Sequence, residues 1–151
     1  MPLFRERLHP SAWLHIVALL ALPASILVLA PVSVPAGVVT GLVLSGALIS
    51  LLWALAPVIE VADGALTAGR ARIPLSLLGA VQVARGEDAR QARGPGLDAR
   101  AWLLLRGDVD PVVRITIDDD DDPTPYWLIS SRRPDELALA IGAGAAPAAG
   151  G

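Results

Sequence analysis

The chain changes character once along its length. From Leu8 to Ile59 it carries no Asp, Glu, Lys or Arg, and after that stretch short apolar runs alternate with polar turns. An uncharged segment of this length is too long for one buried core helix and fits two membrane spans joined by a tight turn. The pattern predicts spans over residues 12–30 and 36–56, each roughly 30 Å long as helix. Residues 1–11 then form a cytoplasmic N-terminus and residues 31–35, bracketed by Pro31 and Pro35, an external turn. Pro23 is expected to kink the first span, which membrane helices tolerate. A cleaved signal peptide ending after Ala30 is the rival reading, and even then the second span would remain.

Beyond the spans, residues 57–143 read as a cytoplasmic β-rich domain with a C-terminal helix. Val58-Ile59-Glu60-Val61-Ala62 is a β-type run, and Asp63-Gly64 is a hairpin turn signal because both residue types accept positive φ. Residues 65–72 return as a strand with Gly69 as a turn or bulge, and Pro74 keeps its neighbours out of any central strand. Residues 79–85, 101–106, 112–117 and 126–131 supply four more strands, while residues 86–100, polar and containing Gly94-Pro95-Gly96, are expected to form a long loop. Pro134-Asp135-Glu136 opens the helix, and Gly142 and Gly144 are expected to end it. Residues 144–151 are a low-complexity tail with the composition of disorder. The predicted fold class is a membrane α-helical hairpin followed by a small α+β domain. That domain is an antiparallel, strongly bent sheet or partly open barrel plugged by one C-terminal helix. The first of these strands begins only a few residues after the second span, which sets the domain at the membrane face.

Charge gives the spans a direction. Arg5 and Arg7 precede the first span, Arg70 and Arg72 follow the second, and the turn has no basic residue. Basic residues stay on the cytoplasmic side, so the chain reads as a multi-pass protein of the plasma (inner) membrane with both termini cytoplasmic, Trp13 and Trp53 anchoring the same interface. Gly37, Gly41 and Ser45 recur at four-residue spacing as a candidate helix-packing face, either between the two spans of one chain or in a homodimer. His15, close to Trp13, reads as an interfacial imidazole rather than a proton relay.

Composition removes several chemistries. The chain has no Cys, and His9 and His15 are its only histidines, so thiolate, disulfide and His-based metal or triad sites are not expected. Its 12 basic residues are all Arg, and the net charge is −3. An acidic domain is a poor non-specific partner for nucleic acid, and none is expected. The run Asp118, Asp119, Asp120, Asp121 and Asp122 needs solvent, a cation or Arg partners, with Arg132 and Arg133 the nearest candidates. The run lacks the spacing of a calcium loop and has no neighbouring base or nucleophile. Tyr126 and Trp127 should point to opposite faces of their strand, one core and one wetter, and either could serve recognition at an exposed edge.

Three stretches carry a resemblance: Arg5-Glu6-Arg7-Leu8, the turn Asp63-Gly64-Ala65-Leu66-Thr67-Ala68-Gly69, and Asp122-Pro123-Thr124-Pro125-Tyr126-Trp127 followed by Ser131-Arg132-Arg133-Pro134. Together they resemble an uncharacterised actinobacterial two-span membrane family, domain of unknown function 3093, from Arg5 to about Ala140. The resemblance implies topology and lineage, not chemistry. A weaker resemblance, in the order of spans, hairpin, Ile73-Pro74-Leu75 turn, strands and closing helix, is to bacterial pleckstrin-homology-like membrane proteins. The expected function is a non-enzymatic scaffold, or a module binding a partner or lipid headgroups, at the cytoplasmic membrane face. The alternative is an accessory subunit of a larger membrane complex recognised through its spans. No catalytic, cofactor or metal residue is assigned. The expected partners are membrane lipid, a protein of unknown identity and, through the small-residue face, a second copy of the chain.

Overall fold

The computed structural model describes residues 1–146, so most of the tail expected over 144–151 lies outside the described residues. The chain forms two compact units: His9–Ala56, and a second built from both flanks of the first, Met1–Leu8 with the segment from Pro57 onward.

The unit His9–Ala56 is a helical hairpin. Helices α1 (Ala12–Leu19) and α2 (Ala21–Leu29) run on from one another with a single irregular residue at Leu20, and α3 (Val34–Ala54) returns. The break falls where the chemistry of Pro23 puts it. Proline has no N–H to give and its ring crowds the carbonyl four residues earlier, which is Leu19. Ser33 caps α3, its hydroxyl accepting from Ala36 N–H at 3.4 Å, and Pro35 sits in the first turn where a missing donor costs nothing. Ala12–Leu29 and Val34–Ala54 are long and apolar enough to cross a membrane, with only 6% and 17% of their apolar windows buried.

Gly37, Gly41 and Ser45 are the buried residues of α3. A Cβ on Gly37 would sit 2.8 Å from Ile26 Cα, and one on Gly41 2.8 Å from Leu22 Cα, so the absent side chains are what let α2 and α3 approach backbone to backbone. The far end of the hairpin is held by His15. Its Nδ1 lies 2.9 Å from the Ser11 carbonyl and its Nε2 3.0 Å from the Trp53 indole N–H. Indole only donates, so Nε2 accepts and the proton is on Nδ1, which makes this a neutral imidazole bridging α1 and α3.

Among the described residues the second unit has eight strands. One sheet is ordered β1 (Phe4–Arg7), β2 (Val58–Ala62), β3 (Ala65–Ala68), β4 (Ala71–Pro74), all antiparallel. The other is ordered β5 (Leu78–Ala84), β7 (Val112–Ile117), β8 (Tyr126–Ser130), β6 (Trp102–Leu104). Asp63 (φ 50°) and Gly64 (φ 69°) make the β2–β3 turn, and Gly69 (φ 61°) divides β3 from β4. Pro74 lies on an edge strand, where its missing donor is harmless. Inward residues of both sheets, among them Ile59, Val61, Leu66, Ile115, Trp127 and Ile129, share one core with Leu137 and Ile141 of helix α5 (Pro134–Ala145). Two sheets with a helix against them replace the bent sheet or partly open barrel; neither sheet closes on itself among the described residues.

Four expectations change. The N-terminal segment is an edge strand: β1 pairs with β2 across the whole hairpin, Arg7 opposite Val58 and Phe4 opposite Val61, and Leu8 N–H donates to the Pro57 carbonyl at 3.0 Å. The sheet is not purely antiparallel, since β6 runs parallel to β8. Residues 86–93 are helix α4 (Gly86–Arg93) rather than loop, with Glu87 and Asp88 in its first turn and Arg90 and Arg93 in its last, as the helix dipole favours. Finally, α5 continues through Gly142 and Gly144 to Ala145.

Helix α4 explains a further difference. Strand β8 is buried on both faces, not one. Trp127 and Ile129 face the main core, while Tyr126 and Leu128 join Val112 and Ala89 in a second cluster under α4. Edge strand β1 also carries an inward charge. Glu6, 7% exposed, accepts from Ser131 Oγ–H at 2.5 Å and from Arg132 N–H at 2.9 Å, tying the first strand to the end of β8.

Gly41→Ala is expected to destabilise the hairpin by about 1–3 kcal/mol through overpacking. Gly46→Ala, where an added Cβ meets nothing within 4 Å, is expected to be neutral or better; thermal unfolding of the two variants in one detergent compares them. Glu6→Ala leaves the buried Ser131 hydroxyl and the part-buried Arg132 amide without their acceptor, at a cost of about 1–3 kcal/mol, read as a lower denaturation midpoint. Glu6→Gln keeps an acceptor and is expected to lose less.

Candidate functional site

The residues singled out in the sequence do not converge. Asp118–Asp122 lie in the β7–β8 connection, at the opposite end of β8 from Arg132 and Arg133. The run uses its own carboxylates to shape the turn. Asp119 Oδ1 accepts from Asp121 N–H at 3.0 Å, and Asp122 Oδ1 from Thr124 N–H at 2.8 Å. That backbone bond holds the Asp122 carboxyl below the ordinary aspartate range. Among the described residues no group of three or more His, Cys, Asp or Glu side chains could hold a metal ion.

Arg132 bonds Asp108 at 2.9 Å, and Arg133 pairs with Glu136 one helical turn on, so neither neutralises the acidic run. Trp127 stacks on Trp102 with centroids 4.5 Å apart inside the core. Tyr126 is buried, its hydroxyl accepting from Asp98 N–H at 2.8 Å. Asp98 itself is held below the usual carboxylate range, first by the Arg100 side chain it bonds and then by the Arg100 N–H.

Arg7 apart, the arginines separate into two groups. Arg85, Arg90, Arg93, Arg100, Arg106, Arg132 and Arg133 each pair with a carboxylate. Arg5, Arg70, Arg72 and Arg114 form no ion pair or hydrogen bond among the described residues. They mark two surfaces.

The first is the outward face of the β1–β4 sheet. Register sets Arg5, Glu60, Thr67 and Arg72 in one row across it, spanning about 14 Å at the usual strand spacing. The next row holds Arg7 opposite Val58, and Gly69 N–H donates to the Val58 carbonyl at 2.8 Å, which puts Arg70 at the same end. That end is where Leu8 and Pro57 lead into the hairpin. Two dipeptide-like pairs, Arg5/Arg7 and Arg70/Arg72, far apart in sequence, thus share one face. Their spacing of two residues in each strand was the available signal.

The second is a cleft of about 670 Å³ on the outer face of the other sheet, lined by Gln82 and Arg114 from neighbouring strands, Asp88, Gln91 and Ala92 of α4, and the Pro95-Gly96 rim. Sequence reasoning missed it because its wall is the helix taken for a loop.

A family model described as a protein of unknown function, DUF3093, matches residues 3–141, and the chain belongs to that family. No curated protein and no solved structure matches it.

The depressed Asp122 carboxyl gives a pH prediction. Its folded value lies below its unfolded one, so its contribution is present above about pH 4, the ordinary aspartate value, and is lost as pH falls through the folded value. In Asp122→Asn the acid limb of stability against pH is expected to flatten, measured by unfolding between neutral pH and the acid transition.

Proposed function

We propose that this chain is a non-enzymatic protein of the plasma membrane whose helical hairpin spans the bilayer, with both flanks cytoplasmic, and whose β-domain reads anionic lipid headgroups there as a membrane-surface scaffold. The observation that carries the reading is the pairing of the flanking strands β1 and β2, which gathers Arg5, Arg7, Arg70 and Arg72 onto one sheet face at the end leading into the hairpin. Basic clusters beside a span are attracted to anionic headgroups by about 1 kcal/mol per Arg near the surface.

Two facts support insertion over its rivals. A helix of a soluble core is mostly buried, whereas these apolar windows are not. A cleaved signal peptide would remove β1, and with it the buried Phe4, Glu6 and Leu8. A second reading, an accessory subunit recognised within the membrane, draws on an apolar groove of about 460 Å³ between α2 and α3, lined by Ala21, Ala24, Ser25, Val28, Thr40 and Leu44.

The test uses the full chain in nanodiscs. Melting temperature is expected to be higher in phosphatidylglycerol than in phosphatidylcholine, with the difference falling at high salt and in the variant Arg5→Gln/Arg70→Gln/Arg72→Gln. Equal melting in both lipids removes the headgroup reading. Because the chain has no Cys, Val32→Cys and Gly107→Cys can be labelled separately in intact cells with an impermeant maleimide. Only the first is expected to react, and labelling of Gly107→Cys overturns the topology.

A further inference from the structure

We propose that the cleft between α4 and the outer face of the second sheet is a binding site for a small zwitterion, a molecule carrying one carboxylate or phosphate and one ammonium group. The site is independent of the lipid-binding face and goes beyond the reading above.

Its floor is Arg114, the β7 arginine that pairs with no carboxylate among the described residues. The guanidinium is not a loose surface charge. It lies 4.0 Å over the Tyr126 ring, and Tyr126 is itself fixed by the Asp98 N–H on its hydroxyl and by burial under α4. A guanidinium placed over an aromatic ring is held by the ring's negative face, and its planar fork of N–H groups suits the two oxygens of a carboxylate or phosphate.

Gln82 is the direct cross-strand neighbour of Arg114, so an amide stands beside the guanidinium on the same face. Asp88 and Gln91, three apart on α4, present a carboxylate and a second amide from the wall. Asp88 makes no ion pair among the described residues; the carboxylate partnered by Arg90 is Glu87. The rim is held in place by Gly96, whose N–H bonds the Gln91 carbonyl at 2.9 Å and where a Cβ would lie 3.1 Å from that oxygen.

A cation on the floor and an anion on the wall, neither in an ion pair among the described residues and with amides beside them, match a ligand bearing both charges, with the Asp98 carboxylate also within electrostatic reach of Arg114. A polyanion would meet Asp88, and a simple cation would meet Arg114. The volume is in the range of small-molecule sites.

The experiment is calorimetric titration of the full-length protein in micelles of a neutral detergent. The probes are β-alanine and O-phosphoethanolamine as zwitterions, with acetate, inorganic phosphate and ethylammonium as single-charge controls. Saturable binding is expected for at least one zwitterion, about tenfold or more tighter than for any control, and the tighter of the two identifies the anionic group. Arg114→Gln is expected to abolish it. Asp88→Asn is expected to bring the zwitterion down to the affinity of its matching anion. Arg114 also packs on Tyr126, so Gln91→Ala, on the exposed surface of α4, gives a second reading that does not depend on the strand, with binding weakened and unfolding unchanged. The proposal is overturned if neither zwitterion saturates, if a control binds as tightly, or if Asp88→Asn and Arg114→Gln fold and bind as the parent does.

Discussion

The structure depends on a hydrogen-bonded seam between two segments that the sequence keeps far apart. Strand β1 ends at Arg7, β2 begins at Val58, and everything between them is the helical hairpin. Their four-residue register, extended by the Leu8 N–H on the Pro57 carbonyl, makes the hairpin an insertion between two paired strands of one sheet. An edge strand added from so far away is held by more than its ladder. Phe4 and Leu8 enter the core, and between them Glu6 turns a carboxylate inward to meet the Ser131 hydroxyl and the Arg132 amide. The inward carboxylate is met where the chain leaves β8. Register slips of β1 by one residue would bury Arg5 or Arg7 instead and leave Ser131 unanswered. Specificity of pairing and closure of the domain thus rest on the same carboxylate.

The second organising element is α4. Without it β8 would be a half-exposed strand and Tyr126 and Leu128 would face water. With it β8 is buried on both sides, and the parallel neighbour β6 completes a sheet covered as parallel strands require. The helix covers only part of that face. Ala89 and Ala92 approach Val112, Tyr126 and Leu128, while Gln82 and Arg114 remain uncovered beside it, and the cleft is the space left over.

What the sequence made legible follows from how local each signal is. The hairpin declares itself because fifty residues without a charge have few other uses, and Gly37, Gly41 and Ser45 lie on the face that meets α2. The Asp63-Gly64 turn and the edge position of Pro74 follow from backbone chemistry within a few residues. Strand β1 was not legible. Phe-Arg-Glu-Arg is too short and too charged to read as a strand, and its partner lies beyond both spans. Helix α4 was hidden because its buried residues are alanines, Ala89 and Ala92, too small to stand out against its arginines and acids. The same omission hid the cleft, so the acidic run, conspicuous in sequence, drew attention to a turn whose carboxylates serve their own backbone.

Charge partition connects fold to function. Seven arginines pair with carboxylates, four of them with a residue two or three positions away: Arg90 with Glu87, Arg100 with Asp98, Arg106 with Asp108 and Arg133 with Glu136. A net acidic chain that leaves any arginine unpaired while carboxylates such as Glu60 and Asp88 stand near has not simply run out of partners. Arg5 and Glu60 are directly cross-strand, and Gln82 rather than an acid stands opposite Arg114. On the first sheet this leaves Arg5 and Arg72 at the two ends of one row, with Glu60 and Thr67 between them. On the second it keeps a guanidinium over an aromatic ring in a cleft that Asp88 also lines, where an internal ion pair would have closed the opening. The two sheets share one core and α5, so both faces are built on the same packed interior.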